Sequence, residues 1–315
     1  MTYVLVLVVL ALTFPWGAVV VARRLAGVLA PREACWALAG AAVLPAGGTI
    51  AALIGLFHVP FLASLEQVSL PRVLEVWPAV VPLACVAGGA LLTQLVLLLR
   101  RLGRHRSLLR DAWLSVEGGT GEGDLLVIPG PEVDAFALPG YRGRRGRVVV
   151  TAGMVRTMKA NEREVLLAHE RAHLAGRHHV FSAVVDLAAV IHPALRGLRE
   201  ALSFHLERWA DEAAASAVGS RRVTASAIAR AALAGPPRGR GGSGGYPLLS
   251  ATSGPVPRRV QALLLPEPTT PRGGARRVGV AVLAGTVAVA GPAALALAYG
   301  LHEYVEYASV AVRGG

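Results

Sequence analysis

The chain is poor in cysteine, lysine, methionine and aromatic side chains, and these shortages narrow what it can be. Cys35 and Cys85 are the only cysteines, and both lie in or beside apolar segments. A disulfide framework and a cysteine-rich metal centre are therefore excluded, so any metal has to be held by His, Asp or Glu. Lys159 is the single lysine; the rest of the basic total is arginine. Only 5% of the residues are aromatic while 54% are hydrophobic, so the apolar content is mainly Ala, Val and Leu, which suits helices packed in lipid. A mean hydropathy of +0.52 is too high for an ordinary soluble domain and points to a bilayer. The formal net charge is +12, but the arginine clusters sit beside apolar segments. That is where the positive-inside rule expects them, which argues for a membrane and against nucleic acid.

Four apolar segments are long enough to be spans. Tyr3–Val21 is followed by Arg23 and Arg24; a cleavable signal peptide carries its charge before the apolar core, so this order reads as a first span. Cys35–Phe57 reads as a second, and Val80–Leu99, about 30 Å long as a helix, as a third. Val278–Tyr299 reads as a fourth. Arginines follow the first and third spans and precede the second and fourth, whereas the stretch between the second and third holds one Arg and two Glu. This asymmetry predicts both termini outside, with the insert, residues 101–277, cytoplasmic and a short extracellular tail after the fourth span. The predicted class is α+β, mainly α. Leu125–Pro129, Ala135–Pro139 and Arg147–Thr151 are strand candidates, the last two flanking the turn "GYRGRRG". Asn161 and Glu164 predict a capped helix start. Further helices are expected over Leu198–Val218 and Val223–Leu233, and "AAVIHPAL", too short and polar to span, is expected to be buried or interfacial.

The helix that Asn161 opens contains "HERAH", His169 to His173, the H-E-x-x-H pattern of zinc peptidases. Residues four apart share a helix face, so His169 and His173 can offer imidazoles to one ion. Glu170 then lies near the open coordination position, where it can take a proton from a water activated by zinc. Two residues compete as third ligand. Gly176 and His179 stand at the offsets of the longer H-E-x-x-H-x-x-G-x-x-H pattern. Proteins of that kind carry a methionine turn downstream, but Met1, Met154 and Met158 all lie upstream of the motif. The stretch "HHVFSAVVDLAAV" also reads as continued helix, with His178 and His179 on a polar surface. The alternative is "FHLERWADEAAA", where Glu207 can close the site. Asp211, one turn on, can accept the other ring N–H of a ligating histidine. The oxyanion donor stays open among His205, Arg208, Tyr141 and Tyr246.

"HERAH" with "ERWAD" resembles the H-E-x-x-H and E-x-x-x-D pair of gluzincin membrane peptidases. "DAFALPG" (Asp134–Gly140) is similar to the NAFA strand of the HtpX and CAAX-prenyl-endopeptidase type, with Asp134 where Asn is usual. "GPVPRRVQALL" (Gly254–Leu264) resembles the closing Pro-x-x-x-Arg-Val segment of these domains. The span order and the interval of 34 residues from His173 to Glu207 resemble the BlaR/MecR sensor type instead, although only "LHEYVEYASVAVRGG" stands where that group has its large ligand domain. The resemblance implies one zinc ion on His169, His173 and Glu207, with Glu170 as base. The expected function is a zinc endopeptidase of the bacterial plasma membrane, with Ala135, Phe136 and Ala137 as a strand that holds the substrate extended. The substrate would be a protein, either a transcriptional repressor or a membrane protein, with no nucleic-acid partner. A protease using His179 and a catalytically silent scaffold are the rival readings.

Overall fold

A computed structural model describes residues 2–65, 71, 74–75, 78–234 and 255–266. The expected fourth span, Val278–Tyr299, and Tyr246 lie outside the described residues. Three long helices come first: α1 (Thr2–Ala26), α2 (Pro31–Leu65) and α3 (Val80–Ser115). Among the described residues, α2 (over Pro31–His58) and α3 are long and apolar enough to cross a membrane. The side chains at the start of α1 are not among those described, so the first-span expectation is only partly covered. The expected third span ends at Leu99, but the helix runs on to Ser115. Arginine is a strong helix former, so the charged run Arg100–Arg110 carries the helix out of the apolar stretch without breaking it.

A sheet of three strands follows: β1 (Leu125–Ile128), β2 (Ala135–Leu138) and β3 (Arg147–Thr151). Its order is β1-β3-β2; β1 is parallel to β3, and β2 is antiparallel to it with Phe136 opposite Val149. Alternation splits the strand residues between two covered faces. Leu126, Phe136, Leu138 and Val149 pack on Ala112, Trp113 and Val116 at the end of α3. Ala135, Val148 and Val150 pack with Met154, Met158 and Leu166. The Trp113 indole N–H donates to the Pro139 carbonyl at 3.0 Å and pins the hairpin end to α3.

The remaining helices are α4 (Ala152–Thr157), α5 (Ala160–Ala175), α6 (His178–Ile191), α7 (Leu198–Val218), α8 (Arg221–Ala234) and α9 (Val256–Leu264), with a 3₁₀ turn at Pro193–Gly197 between α6 and α7. The expected cap on α5 is displaced. The Glu162 carboxylate, not Glu164, reaches back to the Lys159 N–H at 3.0 Å, and Arg230 holds it at 2.9 Å. The helix therefore starts earlier, and Asn161 lies inside it.

The stretch "HHVFSAVVDLAAV" is helical as expected, within α6, but it does not run on straight from α5. Arg177 takes a left-handed backbone (φ 49°), and α6 leaves α5 at a bend of 53°. If that bent pair is counted as one broken span or re-entrant element, the membrane-capable total among the described residues rises from two to three.

The α6–α7 hairpin is buried against α1 and α2. Phe181, Val185, Ala188 and Ala189 of α6 and Leu198, Leu202 and Leu206 of α7 share one apolar cluster with Val19, Ala22, Leu38 and Ala42. At the hairpin tip, the ring of His192 lies 3.0 Å from the Leu12 carbonyl, and Gln94 of α3 donates to the Ile191 carbonyl at 3.1 Å. "AAVIHPAL" is thus the tip of a hairpin held between α1 and α3.

Candidate metal centre

Helices α5 and α7 face each other and bring three side chains together. His169 and His173, one turn apart on α5, approach with their Nε2 atoms 3.1 Å apart. Glu207 of α7 stands opposite, with Oε2 3.6 Å from His169 Nε2 and Oε1 3.6 Å from His173 Nε2. The ligand atoms of His169, His173 and Glu207 lie within 4.8 Å of one another, close enough to hold one metal ion. His179 does not belong to that group. Arg208 is turned aside into a pair with Glu212 at 3.0 Å.

The outer nitrogens of the two imidazoles are also engaged. His169 Nδ1 lies 3.0 Å from Asp211 Oδ1, the contact that sets which ring nitrogen stays free for a ligand. Burial opposes charge on His169, but Asp211 and then Glu207 outweigh it and hold the imidazole up to about 10. His173 Nδ1 lies 2.7 Å from His178 Nδ1. His178 was expected on a polar surface; instead it is 3% exposed and rests on Trp209, with ring centroids 4.6 Å apart. The bend at Gly176–Arg177 turns it back onto the motif. A Cβ on Gly176 would lie 2.6 Å from the His178 ring, so glycine is needed there for the ring to fit.

Glu170 is completely buried, and among the described residues neither carboxylate oxygen makes a hydrogen bond of ordinary geometry. Burial raises its carboxyl to about 8; His169 and the Ala137 amide pull it down, and Glu207 pushes it up. Ala137 lies on the outer strand β2. The Thr151 N–H donates to the Asp134 carbonyl at 3.1 Å, and antiparallel alternation then turns the backbone N–H and C=O of Ala137 outward, off the sheet. Phe136, by contrast, pairs inward and packs its ring against α3. Of the three residues expected to hold substrate, Phe136 is therefore committed to the core, while Ala137 presents its backbone beside Glu170.

A fourth charged group, Arg259 of α9, went unassigned in the reading of the sequence. It is 1% exposed. Its Nε and Nη2 lie 2.8 and 2.6 Å from the two Asp211 oxygens, and its Nη1 lies 2.8 Å from Glu207 Oε2. Burial works against both partners' charges, but the Arg259 hydrogen bonds hold the Asp211 carboxyl down to about 2. The cluster therefore contains three buried carboxylates (Glu170, Glu207 and Asp211) and one buried guanidinium. A divalent cation would take the place of the proton on His169 and sit against Glu207, the carboxylate among the three converging donors. The donor set fits such an ion.

Residues 104–195 match the description of Peptidase family M48. That match takes in His169, Glu170 and His173 and stops short of Glu207. A stretch of 70 residues, 22% of this chain, is 36% identical to a Protease HtpX homolog of Thiobacillus denitrificans, of which it covers 24%. The chain thus spans about a quarter of that relative's length. No solved structure matches. Residues 104–195, which hold the motif, are thus similar to family M48 peptidases, and a 70-residue stretch is similar to an HtpX homolog, in line with the first of the two resemblances given above.

Proposed function

We propose that the chain is a membrane-embedded, zinc-dependent endopeptidase that hydrolyses peptide bonds of protein substrates at the cytoplasmic face. The observation that carries this reading is the meeting of His169, His173 and Glu207 beside a buried carboxylate, Glu170, that makes no hydrogen bond of ordinary geometry among the described residues. Two imidazoles and one carboxylate form the donor set that zinc takes in catalytic sites. A bound zinc ion supplies Lewis-acid polarisation of the scissile carbonyl and acidifies water. Asp211 and His178 hold the two imidazoles in the tautomers that leave Nε2 free. Glu170 takes the proton of the attacking water and passes it to the leaving nitrogen. Ala137, on the outer edge of β2, pairs its backbone with an extended substrate.

Helix geometry supports a site near the membrane surface. Leu12 precedes Arg23 by 11 residues and Gln94 precedes Arg101 by 7, so the α6–α7 tip lies about 16 Å inside the charged end of α1 and about 10 Å inside that of α3. Glu207 follows Pro193 by 14 residues, about 21 Å back along the hairpin. The donors therefore lie roughly 5–10 Å beyond the charged helix ends, at headgroup level. Protein substrates, whether a repressor or a membrane protein, would be cut there.

Metal removal tests the reading. The full chain, purified in detergent and assayed on casein, is expected to lose its activity on treatment with a zinc chelator and regain it with added zinc. Activity indifferent to the chelator would refute it. The substrate edge has its own test. Ala137→Pro removes an outward N–H and is expected to lower kcat/KM about tenfold, the worth of roughly one hydrogen bond, while bound metal is unchanged. Unchanged kcat/KM would show that the substrate binds elsewhere.

A further inference from the structure

Arg259 touches two residues of the candidate centre at once, yet it comes from α9, on the far side of residues 235–254. Its fork engages both Asp211 oxygens, and its remaining nitrogen reaches Glu207 Oε2, leaving Glu207 Oε1 directed toward His173. Asp211 in turn holds His169. One guanidinium thus acts directly on one of the three donors and through a carboxylate on a second. Such planar pairing restrains the orientation of both carboxylates, which a single ammonium cannot do.

Helix α9 has other anchorage. Leu263 is buried with Ala215, Ala225 and Ile228, and Val256 and Val260 pack against them. Arg221 of α8 donates to the carbonyls of Ala262, Leu263 and Leu265 and pairs with Glu212. Docking of α9 therefore does not depend on Arg259 alone. A fully buried arginine is costly unless its charge is matched, and this one is aimed at Asp211 and Glu207.

We propose that Arg259 is a positioning residue of the metal centre. It holds Glu207, and His169 through Asp211, in the geometry that captures the ion, so that α9 is part of the site. This rests on the metallopeptidase reading and adds a residue to it. The two carboxylates stand one helical turn apart on α7, and the guanidinium between them ties both in place.

The test uses the full chain in detergent and compares Arg259→Met, Arg259→Lys and a control, Arg221→Met, which loosens α9 at a distance from the donors. Zinc affinity is measured by competition with a chelator, and coordination by the visible absorption of the cobalt-loaded protein. Arg259→Met is expected to bind zinc about 10–100-fold more weakly, the usual cost of losing a partner behind a ligand, with altered cobalt bands. Arg259→Lys should recover part of the affinity. Arg221→Met should stay within about twofold of wild type with unaltered bands, since it touches no ligand. Wild-type zinc affinity in Arg259→Met, or an equal loss in Arg221→Met, overturns the proposal. Should Arg259→Met fail to fold, Arg259→Lys decides alone, and wild-type affinity and bands there overturn it. A wild-type chain that takes up no zinc sinks the metallopeptidase reading and this inference together, whereas zinc bound equally by wild type and variants sinks only this inference.

Discussion

Glu207→Ala is expected to strip the chain of its metal, and His179→Ala to leave the metal in place. The two substitutions separate the competing third ligands cleanly. Glu207 faces both imidazoles at 3.6 Å from a helix of its own, whereas His179 lies outside the group of converging donors. Losing a partner behind a ligand costs about 10–100-fold in metal affinity, so losing the ligand itself should exceed about 100-fold. The alanine also removes a buried carboxylate that faces Arg259 and His169, so thermal stability without metal should fall as well. Bound zinc measured by elemental analysis after dialysis, beside the melting temperature, reads both effects. Zinc retained in Glu207→Ala and lost in His179→Ala would transfer the site to the longer histidine pattern.

How much of this centre was legible follows from how far each contact reaches along the chain. His169, Glu170 and His173 need only the helical repeat, so five consecutive letters suffice to place them. Glu207 needs two helices to meet, and no local rule gives that; its signal was an acidic pair one turn apart downstream of a motif lacking a ligand. The strands were legible within one residue because alternation and the Gly/Arg turn are local. His178 was misread because its burial depends on a bend of 53° at a non-glycine residue in left-handed conformation, Arg177, which propensity argues against. Gly176 was the available clue. Arg259 is the arginine of the Pro-x-x-x-Arg-Val resemblance, but its role was not legible, because its reach to Asp211 and Glu207 depends on where α9 docks.

Glu170→Gln is expected to abolish proteolysis while leaving fold and metal intact. The side chain is completely buried and makes no ordinary hydrogen bond among the described residues, and burial already pushes its carboxyl up to about 8. Glutamine has nearly the same shape, so packing on α5 is kept, and Glu170 is not among the three converging donors. What is lost is the group that accepts a proton, and general base catalysis contributes about 10²–10⁴-fold. Casein cleavage should fall by that factor at unchanged zinc content. The melting temperature should stay level near pH 7, because a carboxyl held up to about 8 is already mostly neutral there and the amide matches its shape. A fall in stability together with activity would instead mark Glu170 as a packing residue. Activity that persists in the glutamine variant would move the base elsewhere. Inactivity of the wild type itself would favour the scaffold reading, under which a carboxylate buried at this cost has no use.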